Sequence, residues 1–252
     1  MLAACRKAAK TGLEIGFSDH YDLVPDDPCT NYFRADAFWS ELTSSRETYR
    51  DRLMIRAGIE IGEAHLYPNE VQEMLASRPW DYVLGSLHWV GKESVFDPGY
   101  FQRRSEDEAY RSYFHALLDL ARNGEFDILA HMDVVKRLGF SYYNSYEPQR
   151  YEDDIRAVLA TLADRGLGLE INTKTLRTHV RDFSPSPLII QWFREEGGQW
   201  ITLGSDSHQA STIGAGVQQA SSVAEVSGFD GIASYHQRTP SCVPFGYSTH
   251  SS

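Results

Sequence analysis

Short apolar runs alternate with amphipathic stretches along the chain. Residues 13–17 (LEIGF) predict a strand that ends in Ser18, Asp19 and His20. Residues 54–61 (MIRAGIEI), 81–86 (DYVLGS), 126–130, 167–171 and 200–203 predict further strands. Between them, residues 35–53 carry apolar positions at a broken helical period. Pro68 opens the helical pattern PNEVQEMLASR, as proline's fixed φ suits a first turn. Ser105, followed by three acidic residues, starts a helix to Ala121, with Asn123 and Gly124 as its stop. Helices are also predicted over 148–165, ended by Gly166, and over 187–196, closed by Gly197 and Gly198. A last short strand is predicted over 239–245, and loops over 91–102 and 140–146. Strands alternating with helices predict βαβ units around a parallel sheet. No linker rich in Pro, Gly or Ser divides the sequence, so one domain over 1–252 is expected.

Composition narrows the function classes. The formal net charge is -11, which disfavours a nucleic-acid partner, because counterion release needs clustered Lys and Arg. A small phosphorylated substrate stays open, since bound metal ions reverse the sign of a site locally. No apolar run reaches the roughly 18 residues of a membrane span, so no membrane partner is expected. Cys5, Cys29 and Cys242 form no CxxC pair and are odd in number. They predict free thiols in a reducing, cytoplasmic compartment. The N-terminal MLAACRKAAKTG lacks the apolar core of a signal peptide.

The chemistry collects where apolar runs end. GFSDH supplies Asp19 and His20, GIEIGE Glu60, and YVLGSLH His88. DILAHMD supplies His131 and Asp133, LGLEIN Glu170 and Asn172, and WITLGSDSH Asp206 and His208. Parallel strands closed into a barrel bring their C-terminal ends to one mouth, so such groups would converge there. Imidazole nitrogens and carboxylate oxygens ligate zinc, iron and manganese alike. Such groups at six strand ends exceed the needs of one tetrahedral zinc, which points to two or three divalent metals. A metal pair about 3.5–4 Å apart clamps the attacking and leaving oxygens of a phosphoryl displacement. Each residue alone has an ordinary alternative: a turn or cap for Asp19 and His20, a solvated strand end for Glu60, a core histidine for His88, a strand cap for His131. Asp206 and His208, at i and i+2 after a strand, point the same way and form the sharpest local signal. His115 reads as a packed helical histidine, His65 and His179 as loop residues, and His250 as part of a polar tail.

In that order, GFSDH, GIEIGE, DYVLGSLHWVG with FDP, DILAHMDVVKR, LEINTKTLR and ITLGSDSH resemble the PHP-domain phosphoesterases, and among them the PHP-type histidinol-phosphatases. The resemblance covers almost the whole chain. It implies a distorted seven-stranded β/α barrel with a trinuclear metal site. It carries the ligand roles onto His20, Glu60, His88, His131, Asp206 and His208, with Glu60 bridging two metals. The family's first strand bears an H-x-H motif that this sequence lacks, so the resemblance implies a chain without that strand and with Met1 inside the following helix. Weak or absent activity is expected for these 252 residues alone, and normal activity for a form extended upstream.

The expected reaction is metal-dependent hydrolysis of a phosphate monoester, most specifically L-histidinol phosphate. Arg177 is the first candidate for a cation on the phosphate, because a guanidinium binds two oxygens at once; Lys136 and Arg137 are the second. Asp206 and His208 are candidates for protonating the leaving oxygen. Trp89, Phe96 and Tyr142 line a pocket or simply pack. Alternatives are a PHP phosphoesterase for a nucleotide or sugar phosphate, a polymerase-associated PHP exonuclease, disfavoured by the acidic charge, and a degenerate metal-binding module.

Overall fold

The computed structural model describes residues 1–11 and 14–246, so Leu13 and His250 lie outside the described residues. Its strands are β1 (Ile15–Tyr21), β2 (Ile55–Gly62), β3 (Tyr82–Ser86), β4 (Trp89–Val90), β5 (Glu93–Ser94), β6 (Ile128–Leu129), β7 (Gly168–Asn172), β8 (Ile201–Gly204), β9 (Gly231–His236) and β10 (Thr239–Pro244). The helices are α1 (Leu2–Thr11), α2 (Ala35–Tyr49), α3 (Pro68–Ser77), α4 (Pro98–Gln102), α5 (Glu106–Asn123), α6 (Lys136–Tyr143), α7 (Glu152–Asp164), α8 (Pro187–Glu195) and α9 (Val217–Val226). None is long and apolar enough to cross a membrane.

β1, β2, β3, β6, β7 and β8 pair in that order, every neighbour parallel. The sheet curls. His20 on β1 and His208 beyond β8 lie at opposite ends of the strand order, yet their rings are 6.5 Å apart. The architecture is thus the expected α/β arrangement around a curved parallel sheet, with six strands among the described residues.

Period-two alternation sorts the strand residues. Ile15, Ile55, Ala57, Ile59, Ile61, Val83, Leu169, Ile171 and Ile201 face the helices and join the main core. The other face carries Gly58 and Glu60, and Tyr82 lies across it. A Cβ on Gly58 would stand 2.1 Å from the Tyr82 ring, so only glycine leaves room for that phenol to fill the concave side. Leu84, Ile128, Ala130 and Tyr235 form a second small core there.

The β9–β10 hairpin closes the N-terminal end of the strands. Its turn residues Gln237 and Arg238 both have left-handed φ, 48° and 62°. Asp81, just before β3, accepts from Ala57 N at 2.9 Å and pairs with His236 Nδ1 at 3.0 Å. Asp127, just before β6, accepts from Val83 N at 2.9 Å and Arg238 Nε at 3.0 Å. The strand expected near 239–245 therefore exists, but it pairs antiparallel with β9 instead of extending the main sheet. Residues 140–146, expected as loop, begin inside α6, and 91–102 contain β5 and α4. The capping box of Ser105 with Glu108 explains the firm start of α5.

Candidate metal centre

With one end closed by the hairpin, the C-terminal strand ends are left to chemistry. The register of β1 on β2 pairs His20 with Glu60. His88 lies two residues past β3, His131 two past β6, and Asp206 and His208 two and four past β8. His131 and Asp206 hold left-handed φ of 27° and 43°, uncommon for residues with side chains and frequent at functional turns. Neighbouring groups fix these turns. Glu170 Oε2 accepts from His131 N at 3.0 Å, and Arg177 Nη2 donates to Ser205 O at 2.7 Å.

Glu60 is the hub. Its carboxylate oxygens lie 3.9 Å from His20 Nε2, 3.5 Å from His88 Nε2 and 3.0 Å from His131 Nε2. The rings of His88 and His131 stack at 5.4 Å, and those of His20 and His88 are 5.9 Å apart. Two groups of ligand atoms, His20–Asp22–His88 and Glu60–His88–His131, are each compact enough to hold an ion. Across the mouth, Asp206 Oδ1 lies 3.4 Å from His208 Nδ1 and accepts from Lys174 Nζ at 2.9 Å. Asn172 Nδ2 links Asp206 to Glu170, at 3.4 and 3.2 Å.

This set fits divalent metal. Its donors are imidazole nitrogens and carboxylate oxygens, the ligands of zinc, iron and manganese. Buried His131 Nδ1 has no hydrogen-bond partner, and most buried polar atoms in folded proteins are paired. The electrostatics agree. Burial opposes ionisation of Glu60, but the His131 hydrogen bond and the neighbouring imidazoles hold its carboxyl below the ordinary range. Burial also opposes ionisation of Asp206, and the Lys174 charge outweighs it. Glu170 is pushed up to about 7 by burial, with the Asp206 charge adding to the effect and His131 opposing it.

All six expected ligands therefore stand around one mouth, in two subsets: His20, Glu60, His88 and His131 on one side, Asp206 and His208 on the other. The expected cations fare differently. Lys136 is not available to a substrate. Its side chain is 0% exposed, pairing with Asp133 at 2.9 Å and Asp182 at 3.0 Å and donating to Phe183 O at 2.5 Å. Arg177 is exposed, but its guanidinium also donates to Thr173 O at 3.2 Å and so fastens the loop that carries Asp206. Arg137, one residue after Lys136, points elsewhere: its guanidinium lies 5.6 Å from the Phe96 ring, and that ring lies 5.4 Å from His88. Trp89 packs at the rim with its indole N–H on Asp27 at 2.7 Å, and Tyr142 stacks on Phe101, away from the ligands.

The sequence reading passed over Asp22 and Lys174. Both had a signal, the same i, i+2 spacing that marks Asp206 and His208: Asp22 follows His20, and Lys174 follows Asn172.

A pH dependence follows for chelator-treated protein. The Asp22 carboxylate raises His20 to about 9, against burial. For Asp22, burial is outweighed by His20 and His88, and the carboxyl falls to about 2. A raised histidine contributes stability fully below its ordinary value of 6.5, and that contribution is lost as pH rises through the folded value. Thermal unfolding midpoints should thus fall between about pH 6.5 and about pH 9. The fall should be smaller in His20→Asn; equal slopes in the two proteins would refute the assignment.

Comparison with known proteins places this arrangement. Over 225 residues the chain is 28% identical to the histidinol-phosphatase of Lactococcus lactis, covering 88% of this chain and 82% of that protein. It is 29% identical over 222 residues to a probable histidinol-phosphatase of Clostridium acetobutylicum, covering 86% of this chain and 83% of the relative. The fold superposes on the crystal structure of Lactococcus lactis histidinol phosphate phosphatase, which holds zinc, L-histidinol and phosphate. The TM-score is 0.83 at 25% identity, with 95% of this chain and 91% of that one covered. The PHP domain profile matches residues 1–174, the span that carries β1 to β7 with His20, Glu60, His88 and His131, and the chain belongs to the PHP domain family.

Proposed function

We propose that this protein is a metal-dependent phosphoric monoester hydrolase whose substrate is L-histidinol phosphate. The observation that carries the reading is the hub at Glu60, whose carboxylate faces three imidazoles at one strand-end mouth of a fold shared with a zinc-, histidinol- and phosphate-bound relative. His20, Glu60, His88 and His131 would hold ions on one side of the mouth, Asp206 and His208 on the other. Bound there, divalent ions supply an acidified water and positive charge for the phosphate oxygens.

The chain's own residues do the rest. Arg137 lies over Phe96, whose ring neighbours His88, and a guanidinium so placed can bind two phosphate oxygens. Lys174 is the ammonium that touches candidate ligands among the described residues, 2.9 Å from Asp206 and 3.4 Å from His208. It keeps Asp206 ionised, which suits that carboxylate to ligation and not to donating a proton. Arg177 holds Ser205 O and so the approach of Asp206.

The test is hydrolysis by the full-length protein from its native source, using histidinol phosphate beside a panel of nucleotide and sugar phosphates. Histidinol phosphate should be the best substrate, with turnover lost on chelation and restored by zinc. Faster turnover of another ester would move the substrate assignment within the family. Bound metal with no turnover on any ester would make the protein a non-catalytic metal-binding module.

A further inference from the structure

Asp22 has no role in the set of ligands read from the sequence, yet it occupies a singular place. It is 4% exposed, just past the end of β1. One carboxylate oxygen lies 3.4 Å from His20 Nδ1, the other 3.7 Å from His88 Nδ1. The opposite nitrogens of the same two rings, both Nε2, face Glu60. Two imidazoles from different strands are therefore bracketed between two carboxylates, Asp22 behind and Glu60 in front. The separations are those of ion pairs with room to close.

The sequence of β2 is shaped to admit this carboxylate. A Cβ on Gly62 would stand 2.6 Å from Asp22 Oδ1 and 3.9 Å from His88 Nδ1. No φ restriction demands glycine at that position, so the absent side chain serves space: it lets Asp22 lie flat against the strand, between the two rings.

We propose that Asp22 is a positioning residue that orients His20 and His88 together. Its two oxygens hold both rings with Nδ1–H turned inward, which leaves the Nε2 lone pairs aimed at the space beside Glu60. An imidazole that donates its far N–H to a carboxylate is fixed in tautomer and orientation and is a better ligand. A single carboxylate serving two such rings couples their placement. The inference rests on the reading of His20 and His88 as metal ligands, but not on the identity of the ester.

The experiment uses the full-length protein, with zinc affinity measured by competition against a chromophoric chelator and imidazole tautomers read from long-range nitrogen–proton NMR spectra. Asp22→Asn keeps the shape but replaces one acceptor by a donor that opposes an Nδ1–H. Zinc affinity should fall about ten- to a hundredfold, the range for loss of such an orienting partner. One of the two rings should change tautomer. Gly62→Ala keeps the carboxylate but displaces it, and should lower zinc affinity in the same direction. The double variant should lose no more than Asp22→Asn alone, because both changes act through one contact. Zinc affinity within about twofold of the parent in Asp22→Asn would overturn the proposal. So would a zinc-loaded crystal structure with the Asp22 carboxylate bound directly to metal. Neither readout involves an ester, so failure of this inference is distinct from failure of the phosphatase reading.

Discussion

Replacing Glu60 with glutamine should lower kcat/KM for histidinol phosphate by at least about a thousandfold, on the order of 4 kcal/mol of transition-state stabilisation. Glu60 is the group that three imidazoles share, and they hold it ionised although it is enclosed. Glutamine keeps the volume but removes the charge, and its amide donor turns toward nitrogens that must stay free as ligands. Metal content should drop in parallel with turnover, and elemental analysis of the purified variant reports it. The fold should survive, because a neutral amide is easier to bury than a carboxylate. A Glu60→Gln enzyme that keeps its metal and works within about tenfold of the parent would remove the hub from the mechanism.

The second large effect separates two adjacent basic residues. Lys136→Met should destabilise the fold by about 3–5 kcal/mol, the usual result of leaving one partner of a buried ion pair uncompensated. Asp133 would remain fully enclosed, with Ser184 Oγ at 2.5 Å and Ser186 N at 3.2 Å but without its ammonium. At roughly 2–4 °C per kcal/mol for a chain of this size, the unfolding midpoint should fall on the order of 10 °C. KM should change little below that temperature. Arg137→Ala should do the converse. Its guanidinium lies over an exposed ring, so stability should hold to within about 1 kcal/mol. Its kcat/KM should fall about a hundredfold, as for loss of one preorganised donor to developing charge. Calorimetric melts and steady-state kinetics on the two variants decide the matter. A Lys136→Met protein as stable as the parent but poor in substrate binding would restore Lys136 to the site.

The contrast between these neighbours shows where sequence reasoning ran out. Successive residues on a helix point about 100° apart, so one of an adjacent pair can face the core while the other faces away from it. The sequence shows no clear helical period over 136–143, and only the structure sets Lys136 and Arg137 on one helix with Lys136 facing inward. Burial of a lysine is also rare and unmarked locally: Asp182, one of its partners, lies 46 residues away. Arg177 shows a related limit. A guanidinium near the mouth was legible, but its commitment to the carbonyls of Thr173, Ser205 and Ala215 depends on how two loops meet. Asp22 sits within two residues of a candidate ligand, and the partner not legible locally is His88, which β3 brings to its other side.

The chain by itself determined the order of strands and helices and the parallel α/β class, and it marked a set of candidate ligand groups. These follow from periodicity and from polar groups placed where apolar runs stop, and both are properties of short stretches. The tertiary structure decided the rest: that His20 and His208 meet across the curl, that Glu60 faces three rings, that Lys136 is buried while Arg137 lies over Phe96, and that Asp22 lies between two imidazoles. Each of those facts depends on the relative placement of segments tens of residues apart. Strand register, sheet curvature and helix rotation fix that placement through packing of the whole molecule, and no local pattern encodes it.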